Sequence, residues 1–369
     1  MTGVQTCALP ISVVADVVDG DTRLGTAVAL HDTPSGSVLW FARPVGPVDG
    51  QDWAVMEAFI SRHRAGELPC RPYLRGIPHG FAAGVTTRLD CDEDIASARP
   101  LFELYQARGF PLSLAIKTDQ VETPEHLALL RDVRKAGGSI LSHSVTHAPH
   151  WGGSSESTER EARDSKTCLE HTLPGLTVRH AVSPFHQNPA YVPQALANAG
   201  YEGFVAGSIA WDPEYLLARA GVPPFAPPSM VSHSQSCMLH GDCMLADGDP
   251  LRVFKQAFLL ARDSGEFFGY LDHPFSDRYS YGWLDEATRL EMHARYLDFI
   301  VEAAASEPLF VNEETCLDFV AQKAAAEILY DAPIGAYTLR QSHAAPFPLS
   351  VSYQGHASDA DHFFEASRS

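Results

Sequence analysis

Between residues 81 and 329 the chain alternates short apolar runs with amphipathic stretches, and that alternation leaves few folds open. Residues 84–89, 112–116, 139–141, 176–182, 203–205, 267–271 and 309–311 read as buried strands. Between them, residues 99–108, 124–135, 157–171, 191–199, 251–262, 286–305 and 314–329 read as helices. Gly109 stops the first helix, Pro124 sits in the opening turn of the second, and Gly200 ends the fourth. Repeated βα units require parallel strands, because each helix returns the chain to the same edge of the sheet. The expected architecture is therefore an α/β fold with a parallel sheet, closed or open. Residues 207–249, rich in proline and glycine, read as irregular.

The flanks differ from this middle. Residues 26–30 and 37–41 are β-type runs on either side of Asp32-Thr33-Pro34-Ser35-Gly36, a hairpin connection, and residues 52–64 look helical. Pro69 to Gly80 is a punctuated connector, and residues 349–353 suggest the start of another β module. Gly3-Val4-Gln5-Thr6-Cys7-Ala8-Leu9-Pro10-Ile11 reads as the in-frame translation of a sequencing adapter. The expected organisation is thus residues 1–11 as read-through sequence and 12–68 as the remnant of a preceding domain. Residues 69–330 would be the catalytic domain, and 331–369 the start of a C-terminal β module or linker. On this reading the chain is a truncated fragment whose natural start, with any export signal, is missing.

Composition excludes some roles. With 45% hydrophobic and 20% charged residues the 369-residue chain can bury an ordinary core. A formal net charge of −19 argues against nucleic acid or an anionic membrane as partner. No run of apolar residues is long enough to span a bilayer. The seven cysteines show no repeated zinc-finger spacing and leave the redox compartment undecided.

The residues just past the strands carry the chemistry. Asp90-Cys91-Asp92-Glu93-Asp94 follows the first strand, and Ser142-His143-Ser144-Val145-Thr146-His147 the third. Ser183-Pro184-Phe185-His186 and Asp272-His273-Pro274 follow two later ones. In a parallel barrel all of these gather at the carboxyl face. If the turn after His143 is helical, His143 and His147 share a face and can reach one ion. Two imidazoles and one carboxylate form a catalytic zinc set, since coordination positions stay open for water. One aspartate can ligate while its neighbour serves as base. Glu93 and Asp94 fit a helix N-terminus, and Cys91 is either a soft ligand or a small buried apolar residue.

Cys237, His240, Asp242 and Cys243 could hold a second metal, although their spacing matches no standard zinc set; His240 and Asp242 could instead line the substrate cleft. Trp151, Trp211, Phe275, Tyr279, Tyr281 and Trp283 offer aromatic surface. Within that group the polar loop Tyr279-Ser280-Tyr281-Gly282-Trp283 is the one expected to face a sugar. His126, His171 and His293, on helices, read as surface or core residues.

The order strand-Asp, S-H-S-V-T-H, Pro-containing strand end and Leu-x-His resembles the polysaccharide deacetylase (NodB-homology, carbohydrate esterase) family over roughly residues 81–329. The resemblance implies a distorted (β/α)7 barrel and one divalent metal ion, commonly zinc, on an Asp-His-His set. It implies His143 and His147 as ligands, with Asp90 as general base and Asp92 as the third ligand, or the reverse. Leu271-Asp272-His273 matches Leu-x-His, which makes His273 the general acid, its ring kept charged by Asp272 or another acid. The family's Arg-x-Pro-x-Gly falls on Val182-Ser183-Pro184-Phe185-His186, which has neither the arginine that would orient the base nor the glycine. Pro184, His186, His240, Tyr281 and Trp283 are the expected substrate-binding residues. The implied reaction is removal of N-acetyl groups from an acetylated amino-sugar polysaccharide, at the cell envelope or outside the cell. Two alternatives remain: hydrolysis of another linear or cyclic amide on the same site, or a carbohydrate-binding protein that kept only the fold.

Overall fold

The structure, a computed structural model, describes residues 12–42, 50–121, 123–206, 220–223, 226–234, 236–276, 279–305, 307–341 and 346–366. The first elements are an antiparallel sheet of β1 (Ser12–Asp19), β2 (Thr22–Thr33) and β3 (Gly36–Phe41), then α1 (Gly50–Arg62) and β4 (Tyr73–Leu74). The βα alternation follows as β5 (Ala83–Cys91), α2 (Arg99–Ala107), β6 (Ser113–Ile116), α3 (Pro124–Lys135) and β7 (Ile140–Ser142). It continues through α4 (Ser155–Thr172), β8 (His180–Val182), α5 (Val192–Asn198), β9 (Gly203–Ala206), β10 (Val231–Ser234) and β11 (Cys237–Met238). The last units are α6 (Arg252–Ser264), β12 (Phe267–Asp272), α7 (Glu286–Ala303), β13 (Pro308–Val311) and α8 (Glu313–Ala325). β14 (Glu327–Asp331), β15 (Ala336–Arg340), β16 (Ser350–Tyr353), β17 (His356–Asp359) and α9 (Ala360–Ala366) close the described chain.

Helix starts follow local chemistry. Thr123, Ser154, Asp285 and Asn312 each accept a hydrogen bond from a backbone N–H three residues on, capping α3, α4, α7 and α8. Gly265, left-handed at φ 67°, ends α6.

The central sheet runs β10-β9-β8-β7-β6-β5-β12-β11, every pairing parallel, and it curls into the distorted barrel expected. β13 also pairs with the first half of β5, while β6 takes the second half of the same edge. The edge strands β10 and β11 are neighbours in sequence, so the chain crosses the seam of the barrel there. These two strands correct the expectation of an irregular stretch at 207–249. They are only four and two residues long, too short for periodicity to reveal, and exist because β9 and β12 offer open edges. A second correction concerns the last helix: α8 stops at Ala325, and Ile328 and Leu329 lie on β14 paired with β15. Its Ala-rich end favours helix locally, but strand pairing decides.

Strand alternation sorts the core into two layers. Val85, Leu89, Cys91, Leu114, Ile116, Ile140, Ala181, Phe204, Phe268 and Tyr270 face the helices. Ala115, Leu141, Val182, Val205 and Val231 face inward, against Leu317 and Val320 of α8 and Val351 and Phe364 of the C-terminal segment. β16 reaches back to pair antiparallel with β4.

Candidate active site

Arg88, Asp90 and Asp92 are spaced by two along β5 and its end, so they share the inward face, while Leu89 and Cys91 point to the helices. Cys91 is fully buried in that outer layer and is not a ligand; desolvation pushes its thiol well above the ordinary range. Asp90 is 2% exposed. Arg88 donates to it from Nε to Oδ1 at 2.5 Å and from Nη2 to Oδ2 at 3.3 Å. Burial alone would raise the Asp90 pKa, but Arg88 and His143 hold the carboxyl below the usual range. Behind Arg88, Glu313 Oε1 lies 3.7 Å from Nη1 and its other oxygen meets His233 Nε2 at 2.5 Å. The arginine missing at position 182 is therefore supplied by the strand that carries the aspartate. Its signal was present in the R-x-D-x-D spacing.

The loop after β7 is not a helical turn. Ser144 and His147 are left-handed (φ 62° and 55°), and the Ser144 hydroxyl accepts the His147 backbone N–H at 2.9 Å. Glu161 of α4 pins the loop: Oε2 accepts the N–H groups of Val145 and Thr146, and Oε1 the Thr146 hydroxyl, each at 2.9 Å. No pattern in the sequence marks that glutamate. This turn brings the His143 and His147 ring centres to 4.6 Å. Nδ1 of His143 lies 3.0 Å from the Val182 carbonyl, which can only accept, so the ring donates there and, in its neutral form, has its lone pair on Nε2; burial opposes the charged ring, but Asp90 and Asp92 outweigh it and raise its pKa. That Nε2 lies 3.3 Å, and the Nε2 of His147 3.7 Å, from Oδ1 of Asp92. Burial lowers the His147 pKa to about 4, so it is neutral. The donor atoms of Asp92, His143 and His147 all lie within 4.8 Å of one another, close enough to share one ion.

His273, past β12, faces this set: its Nε2 is 3.4 Å from Oδ2 of Asp92. Its ring is not held by Asp272. That carboxylate points to the helix side, where it accepts from Arg289 Nε (2.6 Å), His293 Nε2 (2.9 Å), Trp283 Nε1 (3.4 Å) and the His273 backbone N–H (2.8 Å). Nδ1 of His273 instead meets Nε2 of His240 at 2.8 Å, and Tyr281 stacks on the ring at 4.1 Å. Desolvation lowers the His240 pKa to about 4. His240 also lies with Asp242 and Cys243 in a second group of convergent donor atoms, but its Nε2 is already engaged by His273.

These residues surround a cavity of about 570 Å³ at the carboxyl ends of the strands. Asp90, Asp92, His143, His147, His186, His273, Tyr279 and Tyr281, all expected at the site, line it, but so do Glu93, Lys117, Ser183, Phe185 and Met238. Glu93 is therefore at the site, whereas Asp94 accepts the N–H groups of Ala96 and Ser97. Three substrate-facing expectations need correction. Trp283 is 4% exposed within the outer core, Pro184 is buried in a tight turn, and His240 lies behind His273. Trp151 is fully buried, and Trp211 lies outside the described residues. Phe185 and Tyr279, about half exposed, are the aromatic faces at the cavity. Of ten left-handed non-glycine residues among those described, seven sit in these loops: Ser144, His147, His150, Trp151, Phe185, His186 and Tyr281. Strain is concentrated where the chemistry is.

Residues 96–204 match the family described as polysaccharide deacetylase. Among solved structures, a candidate polysaccharide deacetylase from Mycobacterium smegmatis aligns at 14% identity over 67% of this chain and 93% of its own, with a TM-score of 0.49. The chitin deacetylase of Colletotrichum lindemuthianum aligns at 12% identity over 66% and 90%, with a TM-score of 0.45. A family 4 carbohydrate esterase pseudoenzyme from Bacillus anthracis aligns at 14% over 69% and 71%, with a TM-score of 0.43. No functionally curated protein matches the sequence.

Proposed function

We propose that this chain, a divergent member of the polysaccharide deacetylase (NodB-homology) family, is a metal-dependent hydrolase that removes N-acetyl groups from an amino-sugar polysaccharide. The supporting observation is Oδ1 of Asp92, a buried carboxylate oxygen with no hydrogen-bond partner, beside two imidazole Nε2 atoms. A buried acceptor left without a donor is costly, and one carboxylate with two neutral imidazoles is the donor set that suits zinc. The residues present fit a divalent ion, held by Asp92, His143 and His147. When bound, such an ion supplies a Lewis acid for the acyl carbonyl and lowers the pKa of water to about 7.

The remaining steps belong to the chain. Asp90, oriented by Arg88, accepts a proton from the water that attacks the amide carbon. His273, beside Oδ2 of Asp92, delivers a proton to the departing nitrogen as the C–N bond breaks, giving acetate and a free amine. His240 and Tyr281 fix the plane of the His273 ring. Phe185 and Tyr279 offer faces on which a sugar ring can stack.

Metal analysis of the purified protein and of His147→Ala, with acetate release from acetylated glycans, tests this reading. About one equivalent of zinc or a similar ion is expected in the natural protein. The variant should lose both ion and activity. A natural protein that holds no divalent ion, and takes none up, would sink the hydrolase reading and leave the barrel as a carbohydrate-binding module.

A further inference from the structure

His186 stands where the resembled family has glycine, and the backbone shows why glycine suits the place. Phe185 and His186 are consecutive left-handed residues, φ 52° and 60°. The turn around them is over-determined. The His186 N–H donates to the Ser183 carbonyl (3.1 Å), that of Gln187 to Pro184 (3.0 Å), and Asn188 Nδ2 to the His186 carbonyl (3.2 Å). Ser183 hydrogen-bonds the Asn188 side chain, and Gln187 Oε1 accepts the His150 N–H at 2.9 Å. Glycine would take this conformation without strain, so the imidazole is retained against a backbone penalty.

The ring lines the cavity near Asp90 and Ser183, and its Nδ1 is buried without a hydrogen-bond partner. Desolvation lowers its pKa to about 3, so it is a neutral imidazole with one donor and one acceptor nitrogen. Ser183, Phe185 and Met238 line the cavity with it, so the ring stands among uncharged groups as well as the carboxylates of Asp90 and Asp92. We infer that His186 is a substrate-contacting specificity residue that hydrogen-bonds an uncharged amide or hydroxyl group of the sugar. The inference rests on the hydrolase reading and deepens it, naming a residue that reads an uncharged polar group of the sugar.

The test compares the natural protein, His186→Gly and His186→Asn on an N-acetylglucosamine oligomer, with melting temperature and metal content measured alongside. His186→Gly relieves the left-handed strain and should raise Tm by about 2 °C. It should also lower kcat/KM about tenfold through loss of one hydrogen bond, with metal content unchanged. His186→Asn, which tolerates positive φ and keeps a donor and an acceptor, should fall between the two in activity. Unchanged kcat/KM in the glycine variant would overturn the inference alone, as would a fall in both Tm and activity, since that would make the ring a packing element. A natural protein that binds metal but releases no acetate from any acetylated glycan would overturn the hydrolase reading, and this inference with it.

Discussion

The guanidinium of Arg88 lies 2.5 Å from the carboxylate of Asp90, two residues further along β5. Both side chains are almost fully buried, with only the edge of Asp90 at the cavity, so the pair is little screened by salt. Arg88→Lys keeps the charge but not the two-pronged geometry. The expected result is a kcat loss of roughly 100-fold, with KM and metal content little changed, because a small misplacement of the base is costly. Arg88→Met should also destabilise the fold by about 3–5 kcal/mol, since it leaves Asp90 unpaired in the interior. Steady-state kinetics and denaturant melts check both. A rise in KM alone would show that Arg88 serves binding instead.

His273 is expected to matter only when the leaving group needs a proton. His273→Ala should lower kcat on an acetamido sugar by roughly 10²–10⁴-fold. Hydrolysis of p-nitrophenyl acetate, whose leaving group departs as an anion, should fall much less. Equal losses on both substrates would remove the general-acid role.

Asp272 anchors the loop that carries His273 through Arg289 and His293. Burial pushes its pKa up, but Arg289 and His293 outweigh this and hold it well below the ordinary carboxylate range. A depressed carboxylate pKa contributes stability that is present above the unfolded value of about 4 and is lost as pH falls toward the folded one. Asp272→Asn should therefore lower Tm by about 10 °C at pH 7, because the buried Arg289 keeps only Glu286 and the His273 carbonyl as partners, and lose less on acidification below pH ~4 than the natural protein. Circular-dichroism melts between pH ~3 and ~7 measure the difference. Parallel acid limbs in the two proteins would contradict it.

The loops bearing His240 and Tyr281 touch backbone to backbone. A Cβ on Gly282, at φ 76°, would lie 2.2 Å from the Asp242 nitrogen, and one on Gly241 would strike Gly282. Gly282→Ala must separate the loops and unstack Tyr281 from His273, so kcat should fall together with Tm. Gly80→Ala is the control: φ is 90° there but the space is open, so about 1 kcal/mol of strain and no kinetic effect is expected. A Gly282→Ala enzyme with natural kcat would show that the stacking is dispensable.

Sequence alone determined the parallel βα order, and that order placed Asp90, Asp92, His143, His147 and His273 at one end of the sheet. Strand-end position is a local property, set by hydrophobic period and turn chemistry. Period-two alternation likewise put Arg88 on the face of Asp90 and Cys91 on the other. Tertiary structure decided the partners. Glu161 reaches the histidine loop across 15 residues from α4, His240 meets His273 from 33 residues away, and Glu313 backs Arg88 from just past β13, the late strand that pairs with β5. It also decided which aromatics see the cavity, burying Trp283 in the outer core and leaving Tyr279 and Phe185 half exposed at the cavity. β10 and β11 are strands only because neighbouring edges were open to pair with. Contacts of that kind depend on how the sheet curls, and no local pattern in the chain encodes them.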